Sequence, residues 1–143
     1  MSRLNANIII NRPPAEVFAG LIDFSQWARW QVGLISVEPI SPGPLAVGSQ
    51  LRQVRSSGQP RESLIEVTRL VPNQVLEVKS PSLPLAWQGM FTLEPLDMSS
   101  RFGLEFEIQA SGLSGLIGDL IIKMTLRHEL KTFKALVEGG EIA

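Results

Sequence analysis

The sequence predicts an α+β chain in which one curved antiparallel sheet of about seven strands is covered by a single long C-terminal helix. Three observations carry this expectation. A short β-branched run at the N-terminus gives way to helical spacing between Pro14 and Trp30. Turns rich in Pro, Gly and Ser then punctuate a period-two alternation from Leu34 to Gln109. Helical spacing returns from about Gly115 to Glu138 and stops at the pair Gly139-Gly140.

Taken in order, Leu4 to Ile10 reads as the first strand, ended by Asn11-Arg12-Pro13-Pro14, with Pro14 placed to open a helix. Val17, Phe18, Leu21 and Ile22 make that helix's apolar face, and Asp23 starts a second helical segment in which Phe24, Trp27 and Trp30 recur every three residues. Two short helices in tandem follow the first strand. Six further strands form a meander: Leu34 to Glu38, Ser49 to Arg55, Glu62 to Arg69, Val75 to Lys79, Leu85 to Glu94 and Arg101 to Gln109. The last is the clearest, because Phe102, Leu104, Phe106 and Ile108 alternate with Gly103, Glu105, Glu107 and Gln109. Each strand therefore has one apolar face, and the long helix is what covers it.

Composition narrows the functional classes. With 143 residues, 44% hydrophobic and 19% charged, the chain reads as one globular domain over residues 1–143. Thirteen Lys and Arg against fourteen Asp and Glu leave a net charge of -1, which argues against a nucleic-acid partner. Zero cysteines and a single histidine, His128, argue against a metal site, and no motif calls for a cofactor. Gly112, Gly115 and Gly118 match neither a phosphate loop nor a dinucleotide fingerprint and read instead as a hinge or a site of close backbone packing. No stretch resembles a secretory signal or the roughly 18 consecutive apolar residues of a membrane span, so the expected location is the cytoplasm.

The order strand, two short helices, six strands, long helix resembles the START and Bet v 1-like superfamily, also called SRPBCC. The residues that carry the likeness are Pro13-Pro14 with Val17-Phe18, Asp23, and the pair Trp27 and Trp30. Gly48 before Leu51, Val67 with Leu70 and Pro72, and Phe91-Thr-Leu93-Glu-Pro95 resemble the family's sheet pattern. Leu130, Phe133, Leu136 and Glu138 resemble its closing helix. Within the superfamily the chain looks most like small bacterial polyketide cyclase/dehydrase-like proteins. The resemblance implies a helix-grip fold with a deep cavity between sheet and helix, and it carries over no catalytic residue.

A curved sheet gripping one helix is not filled by its own side chains, and a partly apolar cavity is the usual form of a small-molecule site. Its expected walls are the inward residues Leu51, Gln53, Arg55, Ile65, Val67, Leu76, Val78, Trp87, Phe91, Phe102, Leu104 and Phe106. Inward alternation is needed for folding in any case, so each aliphatic member reads first as plain core and only then as cavity wall. Gln53 and Arg55 share the parity of Leu51, and an inward guanidinium needs a partner, either a ligand oxygen or a turn that takes Arg55 out of the strand. Trp27 and Trp30 suit a cavity mouth or the anchoring of a short helix.

On the long helix Ile122, Leu126, Leu130, Phe133 and Val137 form the inward seam. Asp119 falls on it and is the one acid the sequence places near the cavity, readable as an acid or base or as a solvated residue of the helix's opening turns. An enzyme would thus use Asp119 for proton transfer and Arg55 to polarise a carbonyl or enolate oxygen. A second apolar stripe, Leu116, Ile117, Leu120, Ile121 and Met124, lies opposite the seam beside Lys123, Arg127, Lys131 and Lys134, with His128 on the same outward side. It suits a homodimer, a membrane surface or a protein partner. The function expected is binding of a hydrophobic polyketide-, lipid- or quinone-like molecule, with cyclisation or dehydration as an added activity. The alternatives are a non-catalytic carrier and an interaction module.

Overall fold

The computed structural model describes residues 2–57, 59–80, 86–109 and 116–142. Seven strands form one antiparallel sheet in the order β1-β7-β6-β5-β4-β3-β2. The first strand β1 (Ser2–Ile10) is followed by α1 (Pro14–Leu21) and by a 3-10 helix, Phe24–Arg29. The meander then runs β2 (Leu34–Pro39), β3 (Gln50–Ser57), β4 (Gln59–Val71), β5 (Val75–Ser80), β6 (Ala86–Leu96) and β7 (Ser99–Gln109), and α2 (Leu116–Glu138) closes the fold. The predicted element order stands. The second helical segment is 3-10 rather than α, which suits its three-residue aromatic spacing because side chains three apart eclipse on that helix. The predicted start of the sixth strand, Leu85, and the glycines Gly112 and Gly115 fall outside the described residues.

Two register shifts bend the sheet, one between Leu34 and Ser36 in β2 and one between Val67 and Arg69 in β4. An extra residue on one strand raises the local twist, and this lets the sheet curl around a helix. The inward parity is as the alternation implies: Leu51 pairs with Ile65, Leu76 with Phe91, Phe91 with Leu104 and Leu93 with Phe102, all buried.

At one end of the grip the core is closed by aromatic rings. Phe133 of α2 lies 4.9 Å from Trp30 and 4.8 Å from Phe102 of β7, and Phe91 of β6 stands 5.9 Å from Trp27 and 5.8 Å from Phe102. Trp27 also donates its indole N–H to Leu21 O at 2.7 Å, so it both fills the core and finishes α1. The C-terminus of α2 is anchored by several polar contacts. Glu138 accepts the Asn11 N–H, the Arg12 guanidinium reaches the Glu138 carbonyl, and Lys134 Nζ donates to Ile9 O. Gly140, at φ 68°, turns the chain out of the helix, with Glu141 N–H returning to Leu136 O and Gly140 N–H to Val137 O.

Truncating the ring that joins α2 to both the 3-10 helix and the sheet is expected to be costly. Phe133→Ala should lose about 3–5 kcal/mol of unfolding free energy, read from urea denaturation. A loss below about 1 kcal/mol would mean that the cluster is not what holds the helix.

Candidate functional site

Gly89 of β6 occupies an inward position between Trp87 and Phe91, opposite Val78 and Phe106, so each of its neighbours on that face carries a side chain and it does not. The missing side chain leaves a gap in the inner face. A cavity of about 260 Å³ lies over it, between the sheet and the first half of α2. Trp87, Phe91, Leu104, Phe106, Val78 and Ile108 supply the sheet side. Ile121, Ile122, Thr125, Leu126 and Glu129 supply the helix side, and Trp27, Trp30, Gln31 and Val32 close the end under the 3-10 helix. Trp87 and Phe106 stack at 5.9 Å, making a flat apolar wall.

The polar groups gather at one place. Glu129, 8% exposed, accepts the Val32 N–H on Oε2 at 2.8 Å. Arg55 donates to Val32 O at 3.3 Å, to Gln31 Oε1 at 2.9 Å and to Gln53 Oε1 at 3.2 Å. Gln53 passes the chain on to Ser63 Oγ at 2.9 Å. Val32 thus sits between the two charges, its N–H serving the carboxylate and its C=O the guanidinium. Burial pushes the Glu129 carboxyl above its ordinary value, opposed by the Val32 hydrogen bond and by the charge of Arg55. Burial likewise lowers the Arg55 guanidinium, opposed by Glu129. Trp30 Nε1 is buried without a hydrogen-bond partner among the described residues.

The residues predicted for the site divide into three groups. Trp27, Trp30, Arg55, Trp87, Phe91, Leu104, Phe106, Ile122 and Leu126 line the cavity. Ile65, Val67 and Leu76 do not; they are fully buried in the hydrophobic core, because parity selects the inner face but not the position along it. Gln53, 2% exposed, is also absent from the lining and instead holds Arg55. The Asp119 side chain falls outside the described residues, as do those of Leu116 and Ile117.

Three readings need correction. Arg55 stays in β3, which continues to Ser57, and its partners are protein oxygens rather than a turn. Asp119 is not the one acid to consider, since Glu129 lines the cavity. Seven residues beyond Ile122 and three beyond Leu126, it lies within the seam's own periodicity. Ile121 is not simply outward: it is 60% exposed yet lines the cavity, because the cavity faces the edge of the seam marked by Ile121 and Thr125. Gly89 and Thr125 were also missed, and a glycine at inward parity between two aromatic positions was the available clue to the first.

Among the described residues, no group of three or more His, Cys, Asp or Glu side chains is placed to hold a metal ion. Nor is any helix of the described residues long and apolar enough to cross a membrane.

A family model described as polyketide cyclase / dehydrase and lipid transport matches residues 1–138. Among curated proteins none matches. Of the solved structures, a START superfamily protein from Mycobacterium smegmatis superposes with a TM-score of 0.82 at 15% identity, over 96% of this chain and 97% of that one. A protein from Thermus thermophilus gives 0.78 at 17% identity, over 97% and 99%. The di-domain ARO/CYC BexL from the BE-7585A biosynthetic pathway gives 0.75 at 20% identity, over 96% of this chain and 47% of that one. This chain therefore spans about half of that di-domain protein. The likenesses show a START-like helix-grip fold.

Because its carboxyl is harder to ionise when folded, Glu129 should titrate above the ordinary glutamate value of about 4.3. Native stability should accordingly fall as pH rises through the window between the ordinary and the raised value, where the folded state holds the extra proton. Arg55→Leu removes an influence that lowers this pKa and should move the midpoint higher still. A carbon-detected NMR titration of the Glu129 carboxyl reads both effects; a midpoint at or below that of free glutamate contradicts the assignment.

Proposed function

Because the chain belongs to the polyketide cyclase/dehydrase and lipid transport family, we propose that it binds a hydrophobic small molecule between the sheet and α2. The observation that carries this reading is the space over Gly89, walled by Trp87, Phe91, Leu104, Phe106, Ile122 and Leu126, with the charged side chains of Arg55 and Glu129 also in its lining. A cavity of about 150 Å³ accommodates benzene, so this larger one suits roughly two or three fused rings. A polyketide- or quinone-like ring system fits it better than a diacyl lipid does.

Binding is placed ahead of turnover because three of the five Arg55 N–H donors are already engaged by protein oxygens, which fixes the guanidinium as a holding group with two donors left for a ligand. In a catalytic reading Arg55 polarises the substrate oxygen, and the proton-transfer duty expected of Asp119 passes to Glu129, which lines the same space.

A lipid surface as the place of loading is supported by the strip beside the mouth. Leu120, Ile121 and Met124 are 58%, 60% and 60% exposed, and Ile121 also rims the cavity. Arg127, His128 and Lys131 are exposed on the same helix, and the one acid between residues 120 and 131, Glu129, is buried. Apolar side chains flanked by Arg127 and Lys131, which pair with no acid among the described residues, are complementary to an anionic membrane.

Saturable quenching of tryptophan emission by bicyclic aromatic ketones is expected for the wild type. A Cβ on Gly89 would meet Leu104 Cδ1 at 3.7 Å, an ordinary contact, so Gly89→Val should fold while filling the cavity and weaken binding by about tenfold or more. Absence of saturable quenching by any aromatic or acyl ligand in the wild type sinks the binding reading. For the surface strip, Ile121→Glu should reduce co-sedimentation with phosphatidylserine-containing vesicles while leaving the thermal melt unchanged. Unaltered vesicle binding, or a wild-type dimer that the substitution dissociates, would show the membrane assignment to be wrong.

A further inference from the structure

Resting on the cavity reading above, we propose that the Glu129–Arg55 pair selects uncharged ligands that carry a hydroxyl group, and turns away ligands that carry a carboxylate. Arg55 and Glu129 are the ionisable side chains among the described lining residues, and they bear opposite charges. Among the described lining residues the polar end of the cavity is therefore balanced in charge, with no unmatched cation to receive an anionic head group.

Hydrogen-bond accounting gives the selection its chemistry. Of the two Glu129 oxygens, Oε2 takes the Val32 N–H, while Oε1 has no hydrogen-bond partner among the described residues. A guanidinium has five N–H donors, and the three bonds to Gln53, Val32 and Gln31 leave two of them without an acceptor among the described residues. The site thus offers an open acceptor beside open donors. A phenol or alcohol answers both, donating its O–H to Glu129 Oε1 and accepting from Arg55. A ketone answers only Arg55 and leaves the carboxylate oxygen unserved. A carboxylate brings acceptors alone and sets a second negative charge beside Glu129 in a mainly apolar cavity, where repulsion is screened less than in bulk water. The rest of the molecule lies against the flat wall of Trp87 and Phe106, so the fitting ligand is a hydroxylated fused-ring compound rather than a fatty acid.

Three bicyclic probes of nearly equal shape isolate the polar group: 2-naphthol, naphthalene and 2-naphthoate, titrated calorimetrically into the intact protein at pH 7. The expected order places 2-naphthol about tenfold tighter than naphthalene, the gain of one hydrogen bond to a charged group, and 2-naphthoate weakest. In Glu129→Gln the guanidinium loses its counter-charge, and 2-naphthoate should become the tightest of the three. Should that variant not fold, the wild-type order decides alone. Equal affinities for the three, or 2-naphthoate binding tightest to the wild type, overturn the selection while leaving the cavity reading in place. Binding of none of them overturns the cavity reading itself, and the selection with it.

Discussion

The packing of Trp30 against Phe133 on one side and Phe91 on the other joins the three parts that have no backbone pairing in common: the 3-10 helix, α2 and the sheet. A sheet with one apolar face must be covered, and a single helix is narrower than a curved seven-stranded surface. Aromatic side chains make up the difference at one end, where Phe24, Trp27, Trp30, Phe91, Phe102 and Phe133 form a continuous cluster. Because they fill that end solidly, the unfilled volume is displaced toward the first half of α2, where Gly89 contributes nothing. The place of the cavity is thus a consequence of where the rings are.

The polar end depends on the same arrangement. Trp30 ends the 3-10 helix, and the next residues, Gln31 and Val32, are the ones that meet Arg55 and Glu129. Seating Trp30 in the aromatic cluster therefore delivers the backbone of Val32 between a cation from β3 and a carboxylate from α2. Neither charge needs to touch the other directly, and each is held by a neutral group that the fold has already positioned. The cost of burying such a pair falls when hydrogen bonds serve its remaining donors and acceptors, as Gln53 and Gln31 do for Arg55.

Most of the fold was legible in the sequence because period-two alternation and helical spacing report directly on which face is buried. Phe102, Leu104, Phe106 and Ile108 announced β7 and its inner side without ambiguity. The site was legible less evenly. Alternation cannot say how far along the inner face the covering groups reach, so Ile65, Val67 and Leu76 looked no different from Phe91 and Leu104. Glu129 was overlooked because a charged residue on an apolar seam reads as its solvated border; that it is buried depends on Val32 and Arg55, which are remote in sequence. Gly89 marks an absence, and hydrophobic patterns register side chains rather than gaps. The helix phase was right for Leu126, Leu130, Phe133 and Val137, but the cavity takes the edge of that seam, where a few tens of degrees decide whether Ile121 belongs inside or out.

The anchoring of α2 is unequal along its length. Its last turns are tied through Lys134, the Glu138 side chain and carbonyl, and the reversal at Gly140, all of them far from the cavity. The half that roofs the cavity is held to the rest of the described structure by apolar contacts of Ile122 and Leu126 and by one hydrogen bond from Val32 to Glu129. Among the described residues, the polar ties of the helix thus gather near Glu138, and toward Ile121 it is held by packing. The arm between those residues is about 25 Å, so a tilt of about 5° at the Glu138 end would displace the roof by roughly 2 Å. By that geometry, any angular change at the Glu138 end of the helix would be magnified at the cavity, where the roof is made.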